Sequence, residues 1–445
     1  MNVLVITIDT LRWDHLAHNK QLPVLTPNID RLARRATVFD RCIIGSFPTV
    51  PHRMDCFTGK TCFPRYDWEP LPDTEISVTE VLRDAGYYTA VVADTANFIA
   101  ANITRGMHEI HKTLQPPEGN PKPEDIPFPV PPENIRQGGK QRQSQLARMA
   151  HFKHESDWWV AQTMTRAADW LQDNAARDKW FLWVDTFEVH EVWHTPQYYV
   201  DLYDPNYEGL DYDFPRYGYT DIYTKKELKH LWAHYAAEVT LTDRWIGHLL
   251  DQADVMGLWD NTMVVLTSDH GMYIGEHKRA GKHTVAGDAD PWPLYEEVSH
   301  VPLLVWIPGK GLKKRVGALA QPADLMATIL DAARVKGPRI HGKSWLPLMT
   351  GKARRNWDVV YSSKHGAPKP RLTICPTYLT ATTEKWTYIA GQEGHAPELY
   401  DIKADPKQKT NLARKHADLC KKIQEGVIRF LCEQSAVEGY IAKFQ

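Results

Sequence analysis

The chain predicts an α/β fold in which a mostly parallel sheet lies between helices, followed by a smaller α+β subdomain. Short apolar runs rich in β-branched residues alternate with longer amphipathic segments, a pattern typical of a sheet covered by helices on both faces. The nearly continuous apolar character of these runs indicates strands buried on both sides. From about residue 355 the segments become shorter and alternate with polar residues. We therefore predict a catalytic domain over 1–354 and a C-terminal subdomain, with a small antiparallel sheet and a terminal helix, over 355–445.

The composition is that of a soluble globular protein and excludes several classes of partner. Of the 445 residues, 43% are hydrophobic and 24% are charged, and the formal net charge of -2 gives no electrostatic reason to bind nucleic acid or anionic membranes. No run of 18 apolar residues could span a bilayer, and the N-terminus lacks the basic region of a signal peptide. We expect a cytoplasmic protein with reduced cysteines, and a homo-oligomer is compatible with the sequence.

The predicted elements follow one another along the whole chain. Buried strands are predicted at 3–8, 88–93, 180–184, 262–267 and 301–307, and short C-terminal strands at 372–380 and 385–390. Helices are predicted to begin near 26 and to cover 79–86, 155–176, 225–252 and 415–435. Two irregular segments, a Pro-rich one at 114–142 and a Tyr-rich one at 196–222, are expected to shape a cleft, and the first suits a lid or an oligomer arm.

Polar residues stand at the ends of several predicted strands. Asp9 follows strand 3–8, and Asp269 and His270 follow strand 262–267. Because the carboxyl ends of parallel strands share one edge of a sheet, these groups can converge. Two carboxylates and one imidazole suit one divalent ion, Mn²⁺ or Zn²⁺ first and Ca²⁺ as an alternative. Taken alone, Asp9 is equally compatible with a helix N-cap.

Thr49 precedes a short predicted helix. Pro51 suits the first turn of that helix, and the free N–H groups and dipole at its start favour an anion beside Thr49. A threonine hydroxyl needs a base or a metal to become a nucleophile, so Thr49 is predicted both to attack the substrate and to complete the metal site. For this segment in isolation, an ordinary turn before a helix is the alternative.

Three further residues are predicted to take part in catalysis. Arg53 lies one helical turn beyond Thr49 and could orient it or form an ion pair with Asp9. Lys282 is a candidate cation for the charge of the transition state, although a solvated loop lysine is the alternative. His190 follows the strand at 180–184 and is predicted to protonate the leaving oxygen or to bind a non-bridging one.

Substrate contacts are predicted for three other side chains. Thr95 and Asn97 follow the strand at 88–93 and could donate hydrogen bonds to an ester oxygen, with ordinary turn residues as the alternative. Trp193 lies close to His190 in sequence and is predicted to pack against an aryl or alkyl ester group.

Several segments, taken together and in order, resemble the sulfatase family of the alkaline phosphatase superfamily. They are 2–9 (NVLVITID), 26–32 (TPNIDRL), 51–53 (PHR), 58–59, 268–271 (SDHG), 275–277 (GEH), 294–303, 398–401 (ELYD), 405–406 and 411–413 (NLA). The resemblance covers nearly the whole chain. It implies an α/β core, a small C-terminal domain and hydrolysis of a sulfate or phosphate ester through a covalent intermediate.

The sequence also departs from the family pattern at positions that matter for the substrate. Sulfatases carry at position 49 a cysteine or serine that becomes formylglycine, and threonine cannot give that aldehyde. The second acidic ligand of the family is Thr10 here, and the sulfatase Gly-Lys-Trp-His stretch aligns with 93–96, which lacks its cations.

Other members of the superfamily provide alternative models of the site. A threonine nucleophile is similar to that of nucleotide pyrophosphatase/phosphodiesterases, which use two zinc ions, and Asp185, His190 and His194 could supply a second ligand set. Lys282 stands where phosphonate monoester hydrolases, which use one metal, carry a lysine. We favour one metal ion together with Lys282.

These observations predict a metal-dependent hydrolase of phosphodiesters or phosphonate monoesters, acting on a small anionic ester with Thr49 as covalent nucleophile. A sulfate ester hydrolase with unmodified threonine is the first alternative. A catalytically inactive relative that only binds an anionic ligand is the second.

Overall fold

The structure is a computed structural model, and it describes residues 1–66, 68–95, 101–113, 119–282, 292–309, 312–364, 378–392 and 395–445. The strands are β1 (Asn2–Ile8), β2 (Thr37–Phe39), β3 (Cys42–Ile43), β4 (Ser46–Phe47), β5 (Tyr88–Ala93), β6 (Glu109–Lys112), β7 (Trp180–Thr186), β8 (Gly218–Tyr219), β9 (Thr262–Ser268), β10 (Tyr273–Ile274), β11 (Arg279–Gly281), β12 (His300–Val301), β13 (Leu303–Trp306), β14 (Arg315–Val316), β15 (Val359–Lys364), β16 (Thr380–Thr383), β17 (Trp386–Ile389) and β18 (Glu398–Asp401).

The α-helices are α1 (Pro27–Arg35), α2 (Thr49–Thr58), α3 (Val78–Asp84), α4 (Lys140–Met149), α5 (Trp159–Asn174), α6 (Gln197–Val200), α7 (Lys225–Val255), α8 (Glu296–Ser299), α9 (Asp324–Ala333), α10 (Leu346–Met349), α11 (Ala417–Glu433) and α12 (Glu438–Ile441). In the described part of the chain, none of them is long and apolar enough to cross a membrane.

An eight-stranded sheet forms the centre of the molecule, in the order β14-β2-β13-β9-β1-β7-β5-β6. β1 is parallel to both β7 and β9, and β5 is parallel to β6 and β7, whereas β13 runs antiparallel to β2 and β9. The predicted α/β class with a mixed, mostly parallel sheet is therefore confirmed.

Helices cover both faces of this sheet because successive residues of a strand point to opposite sides. In β1, Leu4 and Ile6 belong to one core, which also contains the apolar residues of α1, α5 and α7. Val3 and Val5 belong to a second core, which contains those of α2, α3 and α9. The long apolar stripe of α7 is thus a core face, as its spacing predicts.

A second sheet has the order β18-β17-β16-β15-β4 and packs against α11. β15 to β18 pair antiparallel, in agreement with the predicted C-terminal sheet, while β15 pairs in parallel with β4 just before α2. This contact joins the C-terminal segment to the segment that carries Thr49. The boundary at 354/355 stays a prediction.

The two irregular segments acquire some regular structure. Within 119–142 the chain forms three short 3₁₀ turns and the start of α4, and the Tyr-rich segment contains α6 and β8. β8 joins β11 and β10 in a small antiparallel sheet beside Lys282. Residues 114–118, and 372–377 of the predicted strand 372–380, lie outside the described residues.

Candidate active site

The predicted metal ligands come together at the carboxyl edge of the central sheet. Asp9 directly follows β1 and Asp269 directly follows β9, and these parallel neighbours end in register at Ile8 and Ser268. Asp9, Asp269 and His270 are fully buried, and each offers a ligand atom within 4.8 Å of the other two. Burial and the neighbouring Asp269 raise the pKa of Asp9 well above its usual range. The shift favours the protonated form of Asp9, and a divalent ion between the two carboxylates would favour the ionised form instead.

The His270 imidazole has the protonation state of a metal ligand. Its Nδ1 lies 3.1 Å from the carbonyl oxygen of Gly271 and donates to it, which leaves the lone pair on Nε2. Nε2 is buried and has no hydrogen-bond partner in the described part of the chain. Burial lowers the pKa of His270 to about 3, so the ring is neutral at pH 7. A buried lone pair beside two carboxylates fits a divalent ion.

Thr49 is the first residue of α2 and points toward this cluster. Its Oγ1 donates a hydrogen bond of 3.4 Å to Asp9 Oδ2, and the side chain is buried. The N-terminus of α2 adds backbone N–H groups and the positive end of the helix dipole. The hydroxyl is therefore held where a nucleophile next to the metal ligands is expected.

Arg53 holds the carboxylates in place. Its Nη2 and Nε donate to the two carboxylate oxygens of Asp185 at 3.0 and 3.2 Å, and its Nη1 donates to Asp269. Asp9 lies farther away, 3.7 Å from Nη2. The predicted pairing with Asp9 is therefore the weakest of three contacts. Asp185, foreseen as a ligand of a second metal, is the main partner of Arg53 and also accepts a 2.7 Å hydrogen bond from Thr95.

Thr10 and Lys282 form a chain of hydrogen bonds that ends on a ligand. Lys282 Nζ donates to Thr10 Oγ1 at 2.9 Å, and Thr10 Oγ1 donates to Asp9 Oδ1 at 2.6 Å. The Thr10 backbone N–H donates to Asp269 Oδ1 at 2.9 Å, with the residue at a φ of 63°. A hydroxyl thus stands where the family has an acid. Lys282 is buried, not a solvated loop lysine.

Glu191 links the two irregular segments to the site, a role that the sequence pattern does not reveal. It is fully buried and accepts hydrogen bonds from Arg136 Nη1 at 2.9 Å and from the Tyr217 hydroxyl. Lys282 Nζ lies 3.8 Å from its other oxygen. Burial alone would raise the pKa of Glu191, but the attraction of Lys282 and Arg136 and the hydrogen bond from Tyr217 hold it below its usual range. Glu191 is therefore a permanent anion behind Lys282.

His190 is a buried, neutral imidazole beside Glu191. Its Nδ1 donates to the carbonyl oxygen of Glu191 at 2.6 Å, so the lone pair is on Nε2, and its ring stacks on Phe187. Burial lowers its pKa to about 3, and Lys282 and Arg136 act in the same direction. The neutral ring carries no proton on Nε2 to donate, and a pKa of about 3 also makes it a weak base, so the predicted contact with a substrate oxygen stays a prediction.

The three predicted substrate contacts have different outcomes. Thr95 is buried and its hydroxyl donates to Asp185, so it acts behind Arg53. Asn97 lies outside the described residues. Trp193 is fully buried, donates to the Val189 carbonyl oxygen at 3.0 Å and packs edge-on against Tyr235. It presents no surface to an ester group, so this position does not support the predicted contact.

Comparison with known proteins agrees with this geometry. Residues 1–335 match the family model described as Sulfatase, which covers most of the chain. The chain belongs to the sulfatase family. Residues 287–433 of this sulfatase-family protein also match the model described as N-sulphoglucosamine sulphohydrolase, C-terminal. Members of the family typically bind a divalent metal, in agreement with the Asp9–Asp269–His270 cluster.

The alignments with similar proteins cover nearly the whole chain. Arylsulfatase K of Gallus gallus is 24% identical over 489 residues, covering 99% of this chain and 85% of the relative. The ulvan-active sulfatase of Formosa agariphila is 26% identical over 443 residues, covering 93% and 77%. The crystal structure of phosphonate monoester hydrolase of Agrobacterium radiobacter has a TM-score of 0.75 at 19% identity, covering 97% and 95%, which shows a shared fold.

Proposed function

We propose that this sulfatase-family protein is a metal-dependent sulfate ester hydrolase that uses unmodified Thr49 as its nucleophile. The observation that carries the proposal is the Thr49 hydroxyl at the start of α2, 3.4 Å from the carboxylate of Asp9 in the buried Asp9–Asp269–His270 cluster. The sulfatase family model and curated relatives named as sulfatases along the chain support sulfate over phosphorus esters. The first alternative of the sequence analysis is thereby better supported than its main prediction.

The charge around the cluster suits a substrate with one negative charge. The charged residues described above are the carboxylates Asp9, Asp185, Glu191 and Asp269 and the cations Arg53, Arg136 and Lys282. His190 and His270 are neutral because burial lowers the pKa of each to about 3. A divalent ion would bring this set to about one net positive charge. That balance fits a sulfate ester, which carries one negative charge, better than a doubly charged phosphate monoester.

The chain's own residues can support a two-step displacement. A divalent ion held by Asp9, Asp269 and His270 would act as a Lewis acid on the Thr49 hydroxyl and on the substrate oxygens. The Thr49 oxygen attacks sulfur, the bond to the alcohol breaks, and a threonine sulfate ester remains. Water then attacks the sulfur, the bond between sulfur and Thr49 Oγ1 breaks, Oγ1 takes a proton from the water, and sulfate leaves. His190, with a free lone pair on Nε2, can accept a hydrogen bond in these steps, and Lys282 offsets developing negative charge.

Phosphodiesters and phosphonate monoesters form the second candidate class, and the identity of residue 49 favours them. A threonine carries no second oxygen on the carbon that bears its hydroxyl. Thr49 therefore cannot release a sulfuryl or phosphoryl group by breaking the C–O bond of its own side chain. Water must instead attack the sulfur or phosphorus atom. Phosphorus accepts such a second in-line displacement as readily as the first. These esters also carry one negative charge.

The experiment compares wild type, Thr49→Ala and Thr49→Ser on matched aryl esters: a sulfate, a phosphodiester, a phosphonate monoester and a phosphate monoester. Each protein is stripped of metal and reloaded with Mn²⁺, Zn²⁺ or Ca²⁺. We expect metal-dependent sulfate turnover that is lost in Thr49→Ala and partly kept in Thr49→Ser, with unchanged circular dichroism. Dominant turnover of a phosphorus ester would select the second candidate. No turnover of any ester would overturn both and favour an inactive anion-binding protein.

A further inference from the structure

A second cluster of metal-ligand type lies outside the catalytic cleft and shares no residue with it. Asp211 belongs to the Tyr-rich segment, and His230 and His234 lie four residues apart on α7, so they face the same side of that helix. Their ligand atoms lie within 4.8 Å of one another. Both imidazole Nε2 atoms point at the same oxygen, Asp211 Oδ1, at distances of 3.4 Å for His230 and 2.6 Å for His234.

The hydrogen bond of His230 to Asp204 turns its Nε2 into this cluster. Its Nδ1 lies 3.2 Å from Asp204 Oδ2, and Asp204 is also paired with Lys229. With Nδ1 donating to Asp204, the ring is held so that its Nε2 faces the Asp211 oxygen, the orientation in which both groups could bind one metal ion. A carboxylate behind a ligating histidine is the usual outer partner at zinc sites.

The surroundings of the cluster bury the two imidazoles and leave the Asp211 carboxylate open to solvent. The side chains of His230 and His234 are 5% and 6% exposed, and Tyr207 stacks on the His230 ring with centroids 3.7 Å apart. Asp211 is 50% exposed, so an ion can reach the cluster from solvent. Two imidazoles and one carboxylate, with a position left for water, are a donor set that Zn²⁺ accepts.

We propose that Asp211, His230 and His234 bind Zn²⁺ and thereby tie the Tyr-rich segment to α7. This site is separate from the catalytic metal, and the proposal does not depend on the activity of the protein. The Tyr-rich segment also carries Tyr217, whose hydroxyl donates to Glu191 behind Lys282. A zinc ion on Asp211 would therefore bind the segment that contacts the catalytic cleft. The bound ion would hold the middle of that segment against the helix.

The test counts Zn²⁺ per chain in the full-length protein after chelation, reloading with ZnCl₂ and desalting. Asp211→Asn and His234→Ala are compared with His248→Ala, an exposed histidine on the same helix. Asp211→Asn changes a half-exposed residue and is the variant least expected to disturb folding. We expect both site variants to hold one Zn²⁺ fewer than wild type and the His248 variant to hold the wild-type number. In a competition titration, Asp204→Asn should weaken this site by about 10- to 100-fold.

The design separates this proposal from the catalytic one. If the Asp9–Asp269–His270 cluster binds no Zn²⁺, wild type holds one ion instead of two and Asp211→Asn holds none. The difference of one ion between the two proteins therefore remains. Equal counts in wild type and Asp211→Asn would overturn the proposal, and the cluster would then only be two histidines paired with one carboxylate. A difference that also appears in His248→Ala would overturn it as well, because the loss would not be specific to the cluster.

Discussion

At the scale of single residues, Thr10 changes how the metal site is charged. An acid at this position would add a negative charge beside Asp9, whereas the threonine hydroxyl passes a hydrogen bond from Lys282 to Asp9. Lys282 is held between this hydroxyl and the anionic Glu191. The site therefore has one charged ligand fewer than an acid at position 10 would give it, and a fixed cation next to it.

The position of Lys282 leads to a prediction for its replacement. Lys282→Met keeps the length of the side chain but removes the charge that offsets the transition state, and we expect kcat/KM to fall by about 10²- to 10³-fold. The measurement is steady-state kinetics on the best ester of the panel. Lys278→Met, an exposed lysine nearby in sequence, is the control and should retain wild-type rates. Equal rates for Lys282→Met and wild type would show that this cation takes no part in the reaction.

At the scale of elements, α2 concentrates the functional groups of the site. Thr49 opens the helix, and His52 and Arg53 follow within its first turns, all buried. His52 has no role in the predicted chemistry: its Nδ1 lies 3.8 Å from Cys56 Sγ, and its Nε2 is buried without a hydrogen-bond partner among the described residues. Burial, helped by Arg53, lowers its pKa to about 3. The helix therefore carries a neutral imidazole inside the second core.

His52 should make the stability of the protein depend on pH. Its folded pKa of about 3 lies below the usual 6.5, so its stabilising contribution is complete above pH 6.5 and is lost as the pH falls toward 3. In this window the unfolded chain binds one more proton, and stability should fall by about 1.4 kcal/mol per pH unit from this group. Denaturant unfolding between pH 7 and 4 should give His52→Gln a shallower slope than wild type by that amount. His248→Gln should keep the wild-type slope, and identical slopes in all three would refute the prediction.

The elements also show how far the sequence predicts the site. The strands before Asp9 and Asp269 are continuous apolar runs, and a parallel sheet brings their ends together whatever the details of packing. The pairing of Arg53 with Asp185, and the meeting of Arg136, Tyr217 and Glu191, depend instead on how distant segments pack. No local spacing encodes them. Trp193 shows the same limit, because closeness to His190 in sequence does not fix where the side chain packs, and its ring is buried against Tyr235.

At the scale of the whole molecule, the C-terminal sheet extends to the strand that directly precedes α2. Ser363 and Lys364 of β15 pair in parallel with Ser46 and Phe47 of β4, directly before α2. The sequence could not predict this contact, because a two-residue strand has no hydrophobic pattern of its own. Phe63 belongs to the core beneath α11, so the apolar contacts also cross the predicted boundary.

This continuity predicts that 1–354 does not fold alone. A fragment ending at Arg354 would lose the partner of β4 and expose Phe63, so we expect it to lack a cooperative thermal transition and ester hydrolysis. The control is a full-length chain with a protease site inserted after Arg354, in an exposed turn. After cleavage, the two pieces keep their contacts and should retain the activity of the uncut chain. Circular dichroism melts and turnover rates of both proteins provide the measurement. A 1–354 fragment that melts cooperatively and turns over substrate would instead establish an independent catalytic domain, because the strand before Thr49 would then hold its position without β15.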